Sequence, residues 1–325
     1  MKLHSILRSV LFVCAITIVM ARTATAQQQP SDPFRDAVGT VAVEYWQPRL
    51  DLYRNAIDRI LGNEDLAALN RLRVRWSIMV AEQAEIRDSL RSAASGNGVG
   101  GKVDLESPLR RGPEILGIME QAQQIAARYP AAMSEIGRTV IDDFGAFAEQ
   151  LPKETDRILA RNGIDISGAA AIERRTTLDR MAAAVTSDNG AAGLRAIYDL
   201  AFEPIVLLYN GSDLRQMIAE TAGSTGIDGT LLPETSLLSQ NHPNPASSAT
   251  TIDYTLRQAT PSALIRIYNA AGTEVMTLDE GSRPAGMQSR TVDVSALPSG
   301  SYLYQLVIRT DTGTQVFAKV MRVVR

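Results

Sequence analysis

Between Pro33 and about Glu220 apolar residues return every three or four positions, the period of one helix face. From Leu237 onward they alternate with polar residues in short runs broken by Gly, Pro and Asn, as strands do. Phe34, Val38, Val41, Tyr45, Pro48 and Leu52 form a first stripe, with Pro48 expected to kink or split its helix. Gly62 and Asn63 stop that helix and cap the next, whose first turn carries Glu64 and Asp65 where the helix dipole favours negative charge. Leu69, Leu72, Trp76, Met79, Gln83, Ile86 and Leu90 continue the rhythm and predict a second long helix, packed on the first as an antiparallel hairpin. Further helices are expected near 113–129, 131–150, 153–162, 167–186 and 190–209, punctuated by Pro130, Pro152, Gly163 and Pro204. Strands are expected at Thr250–Leu256, Ala263–Tyr268, Thr273–Leu278, Gln288–Val294, Tyr302–Arg309 and Gln315–Val324. The expected class is α + β in separate domains. An all-α helical bundle over 33–220 is followed by a linker of small residues at 221–236 and a small all-β, Ig-like sandwich over 237–325.

The first residues read as an export signal. Lys2 and Arg8 give a positive start, Ser9 to Met20 is apolar, and Ala24-Thr25-Ala26 supplies small residues for cleavage between Ala26 and Gln27. The apolar run is well short of the roughly 20 residues of a membrane-spanning helix. Composition narrows the chemistry. The 325 residues hold one cysteine, Cys14, and two histidines, His4 and His242. Loss of residues 1–26 removes Cys14 and His4, and with them disulfides, thiolate nucleophiles, Cys/His zinc sites and paired-histidine chemistry. Net charge is −3 and the only lysines are Lys2, Lys102, Lys153 and Lys319, so no basic module for nucleic acid is expected.

Four patterns invite a function, and each has a plainer reading. Gly96 to Lys102 matches phosphate-loop spacings, but Val103 replaces the magnesium-binding hydroxyl and the preceding segment is helical, so an inter-helix loop fits better. Arg71, Arg73 and Arg75, with Arg87 and Arg91, could present a basic face to an anionic glycan or lipid. Residue 73 points away from 71 and 75, and Glu82, Glu85 and Asp88 neutralise the helix, which favours a solvated face of mixed charge. Trp76 on the seam reads as core. Glu135, Asp142 and Glu149, seven residues apart, and the adjoining Asp143 could serve acid–base work or calcium, yet the same spacing, with Arg138 between Glu135 and Asp142, equally suits a water-facing stripe. No nucleophile motif is present. No catalytic, cofactor-binding or metal-ligating residue is assigned, and a non-enzymatic binding or structural module is expected. The alternatives are a carboxylate-dependent enzyme or calcium module and a holdase chaperone.

In the strand-rich half, Leu238-Ser-Gln-Asn241-His-Pro243-Asn244-Pro245, Thr251-Ile-Asp-Tyr254, Ile267-Tyr268-Asn269 with Gly272, and Leu297-Pro-Ser-Gly300-Ser-Tyr302 occur in order. The chain ends on Lys319-Val-Met-Arg-Val-Val-Arg325. Together they resemble the type A C-terminal sorting domain of the type IX secretion system, over about residues 237–325. His242 occupies the variable position of the Gln-Asn-x-Pro-Asn-Pro opening, which favours a surface turn residue. The resemblance implies partners: signal peptidase and the Sec translocon, the type IX outer-membrane translocon, a sortase-like surface protease, and a lipopolysaccharide tether for cargo that is not released. It also implies a recognised surface carrying Asn241, Pro243, Asn244, Pro245, Tyr268, Gly272, Gly300, Tyr302, Lys319 and Arg325, with scission in 221–236. The segment Glu64-Asp-Leu-Ala-Ala-Leu-Asn-Arg-Leu-Arg73 is similar to helical hairpins of Spy-type periplasmic chaperones, although their Leu-Thr-x-x-Gln signature is missing.

Overall fold

The computed structural model describes residues 33–94, 106–187, 190, 193–195, 198, 202–211, 238–310 and 313–325. A helical N-terminal region precedes two antiparallel sheets, as the sequence pattern predicts. The helices are α1 (Pro33–Ile60), α2 (Asn63–Ala94), α3 (Glu106–Ala126), α4 (Pro130–Arg161), α5 (Ala169–Thr186) and α6 (Glu203–Leu208). The strands are β1 (Ala249–Leu256), β2 (Thr260–Asn269), β3 (Glu274–Arg283), β4 (Gly286–Asp293), β5 (Gly300–Thr310) and β6 (Gly313–Val323). The leader and the 95–101 and 221–236 segments lie outside the described residues. Among the described residues no helix is long and apolar enough to cross a membrane.

The described residues form two compact units. The first takes α1 to Ala56 with α4, α5 and α6 to Val206. Its core is aromatic: the Trp46 ring lies 4.4 Å from Phe144 and 5.5 Å from Phe147, and Phe144 meets Phe202 edge-on at 4.4 Å. Pro48 does not split its helix, and Pro152 does not separate two. α1 runs through Pro48 without a break, and past it the buried positions are Tyr53 and Ile57, while Leu52 is 66% exposed. α4 is one helix through Pro152, where two were expected. A helix-interior proline costs about 3 kcal/mol, and burial of Phe144 and Phe147 before it with Thr155 and Leu159 after it offsets that loss. α4 ends as the sequence predicts. Gly163 adopts φ +69°, and Gly163 and Ile164 donate their N–H groups to Ala160 and Leu159, a left-handed C-terminal cap.

The second unit takes α1 from Ile57, α2, α3, the segment from Leu207 and all six strands. β1 pairs with β4 in one sheet, and the other runs β3-β2-β5-β6, every pairing antiparallel. Between them Ile252, Tyr254, Ile265, Ile267, Tyr304 and Met321 are buried to 1% exposure or less. The expected α1–α2 hairpin does not organise this core. α2 packs along α3 and against β5 and β6, where Val74 and Ile78 meet Leu303 and Ala318. Trp76, assigned to the seam by its spacing, is only half-buried.

Among the largest fully buried side chains described in this unit, one is charged. Arg73, 1% exposed, donates from Nε to the Leu207 carbonyl at 2.8 Å and from Nη1 to Asp58 Oδ1 at 2.6 Å and Asn70 Oδ1 at 3.0 Å. Removing one partner of a buried pair strands the other charge. Asp58→Ala is therefore expected to cost about 3 kcal/mol, read as a lower denaturation midpoint with an unchanged slope.

Candidate functional site

The Asn241–Pro245 turn is built into one end of the sandwich by hydrogen bonds that use up its polar groups. The Asn241 N–H donates to Tyr304 Oη at 2.9 Å, and that hydroxyl donates to the Ser239 carbonyl at 2.7 Å. Asn241 Nδ2 donates to Thr250 Oγ1 at 2.9 Å and to the Pro243 carbonyl at 3.1 Å. Burial pushes the Tyr304 phenol well above its ordinary ionisation range, so it stays protonated as this relay requires. Asn244 Oδ1 accepts the Arg322 N–H at 2.8 Å. Ala246 then bridges to Val323, its N–H donating to the Arg322 carbonyl and its carbonyl accepting from Val324.

Arg325, just past β6, closes the same end. The Arg325 guanidinium donates to the carbonyls of Val294, Ser295 and Leu297, the last at 2.6 Å. Gly300 pairs with Val323 across β5 and β6. One surface therefore gathers the exposed Pro243, Asn244, Pro245, Gly300 and Arg325, residues drawn from both ends of the sorting-like segment. Asn241 and Tyr302 are buried beneath or beside it, Tyr302 Oη donating to the Pro298 carbonyl at 2.9 Å. Lys319 pairs with Tyr304 and is half-buried. Gly272 and Tyr268 sit apart from the exposed group. Gly272 is buried with φ +79°, a Cβ there lying 2.7 Å from the Arg71 carbonyl oxygen, and Tyr268 packs beside Val74, Ile78 and Leu303. Ala26 and Gln27 lie outside the described residues.

The four carboxylates do not converge. Glu135, Asp142 and Glu149 are exposed, and Asp143 turns inward to α1. Its carboxylate accepts from Arg49 Nε at 3.0 Å and from the Tyr53 hydroxyl, while Tyr45 Oη donates to its backbone carbonyl at 2.8 Å. Burial and this carboxylate raise the Tyr53 phenol far above its ordinary range. Asp143 is thus a pin between two helices. Among the described residues no group of three or more His, Cys, Asp or Glu is placed to hold a metal. The arginine face divides as expected at position 73, which is buried rather than solvated. Arg71, Arg75 and Arg128 line a groove of about 280 Å³ with Gln121, Gln124 and Ala271. Arg75 pairs there with Glu114 at 3.1 Å and Arg128 with Asp65 at 2.5 Å. The side chains of Arg87 and Arg91 lie outside the described residues. His242 is a turn residue, its backbone paired with Thr251 and its ring exposed, 3.6 Å from Asp253.

Sequence reading missed Glu280. Met276, Leu278 and Glu280 alternate along β3, so period two already placed a carboxylate on the inner face. It is 5% exposed, accepts from Tyr254 Oη at 3.0 Å and Arg283 Nη2 at 2.9 Å, and lies 3.3 Å from Arg290. Burial, with the Glu280 charge beside it, pushes Tyr254 up to about 12. An unfolded phenol ionises near pH 10 (about). The stability Tyr254 supplies is whole below that pH and is lost as pH rises toward 12. Alkaline titration is expected to show that loss, and Tyr254→Phe to reduce its slope, followed by circular dichroism with tyrosinate absorbance.

Residues 241–321 match the family model described as secretion system C-terminal sorting domain. A solved structure, dimeric latent PorU from Porphyromonas gingivalis, aligns at 21% identity and a TM-score of 0.24, over 27% of this chain and 9% of that one. No curated protein matches the chain. A likeness of α1 and α2 to Spy-type chaperones is not shown. Residues 241–321 are a type IX secretion C-terminal sorting domain, which indicates export and a cell-surface or secreted location.

Proposed function

We propose that this chain is a cargo protein of the type IX route whose helical part is a binding or structural module, not an enzyme. It enters the periplasm by a signal peptide cut between Ala26 and Gln27, and the outer-membrane translocon then reads its C-terminal domain. The observation that supports the reading is the joined surface of Asn241–Pro245 with the end of β6, because one partner can touch both segments there. A sortase-like surface protease cuts within 221–236 and leaves the cargo tethered to lipopolysaccharide or released. The non-enzymatic reading is supported by the carboxylates: three face water at separate points and the fourth is fully engaged by Tyr53 and Arg49.

The test is the intact mass, under denaturing conditions, of the protein recovered from outer-membrane and medium fractions of a host carrying this secretion system. A species beginning at Gln27 and ending within 221–236 is expected. A chain ending at Arg325 and confined to the periplasm overturns the export reading. Deletion of Phe317–Arg325 removes most of β6 and half of the joined surface, and is expected to hold at least nine-tenths of the protein in the periplasm. A hydrolytic activity lost on substituting one of the four carboxylates would overturn the non-enzymatic part.

A further inference from the structure

β5 is covered on both faces. Tyr302 and Tyr304 belong to the core between the sheets, whereas Leu303, 1% exposed, belongs with Ala318 to a second apolar cluster closed by Val74 and Ile78 of α2. Strands buried on both faces read as continuous apolar runs, and Tyr302-Leu-Tyr-Gln-Leu-Val-Ile308 is close to one. Three further contacts join the same bodies at other points. Ser301 Oγ donates to Glu82 Oε1 at 2.8 Å. The outward N–H of Ala318, on the edge strand β6, donates to the Gly211 carbonyl at 3.2 Å, which covers part of that edge. Gly211 and Gly272 have φ +89° and +79°, and a Cβ at either would strike backbone, of Val316 and of Arg71 respectively. Both glycines allow main chain to approach main chain across this boundary.

We propose that the partner of the Val74–Ile78 face is the chain's own sorting domain, bound non-covalently, so that cutting the connecting chain does not release residues 238–325. α2 and the segment ending at Gly211 hold the tail by its outer sheet face and its edge. This docking is independent of the export route, since it requires only residues on either side of the cut.

The test places a site-specific protease sequence within 221–236 of the full chain, cuts it to completion, and follows the fragments by gel filtration. Both fragments are expected to elute together at the mass of the uncut protein. Elution of the 238–325 fragment alone overturns the proposal. Val74→Asn combined with Ile78→Asn is expected to weaken retention at least tenfold. Where that double variant fails to fold, exchange of the Ala318 amide hydrogen in the cut wild-type protein reports the same contact, because its acceptor, Gly211, lies on the other fragment. Protection equal to that of the uncut chain supports docking, and loss of protection overturns it.

Discussion

One buried guanidinium organises the unit that contains the sorting domain. Arg73 cannot lose its proton and has five donors, so burying it at 1% exposure obliges its surroundings to supply acceptors. They come from three places: Asp58 near the end of α1, Asn70 one turn back on α2, and the Leu207 carbonyl. Fixing Leu207 fixes the few residues that lead to Gly211, and Gly211 meets the edge of β6. Arg73 also lies between Leu72 and Val74, both buried, so the rotation of α2 that serves the charge is the one that lays Val74 and Ile78 on β5. Hydrophobic contact and charge satisfaction therefore select the same register of the helix.

The first unit uses a different device for the same purpose. There a carboxylate, Asp143, is approached by two phenols and a guanidinium from one face of α1. Arg49 also stacks on the Tyr45 ring, 3.5 Å from its centroid, and donates to the Tyr45 carbonyl, so the cation is held before it reaches the carboxylate. The aromatic core beside it is non-directional, whereas this polar set fixes how α1 and α4 align.

The strands were legible because alternation is a local property: five of the six expected strands lie within three residues of the observed ones at both ends, and the third stops at Leu278, five residues short of Arg283 and short of Glu280. The turn at Asn241–Pro245 was legible through its residue types, but what Asn241 does was not. Its acceptors and donors include Thr250 and Tyr304, which only the folded sandwich brings near. Pro152 misled because local propensity is small beside the burial of Phe144, Phe147 and Leu159 along α4. Leu52 misled because a stripe drawn through Pro48 assumes the same partner on both sides of it, and the buried positions beyond are Tyr53 and Ile57. Arg73 sits among Arg71 and Arg75, and nothing in an alternation of charged residues marks which one is inside. Asp143 was noticed only as the neighbour of Asp142, and its meaning lay in Tyr45, Arg49 and Tyr53, some ninety positions away.

β6 is fastened by a side chain just past its end. Arg325 reaches the carbonyls of Val294, Ser295 and Leu297 through its guanidinium. Arg325→Ala removes that grip whole and leaves the sequence of every strand unchanged. The end of β6 would then fray beside Asn244 and Ala246, whose bonds to Arg322 and Val324 depend on the strand staying in place. An Arg325→Ala molecule would thus carry the Asn241–Pro245 turn and all six strands in its sequence while presenting a loosened version of the surface they build.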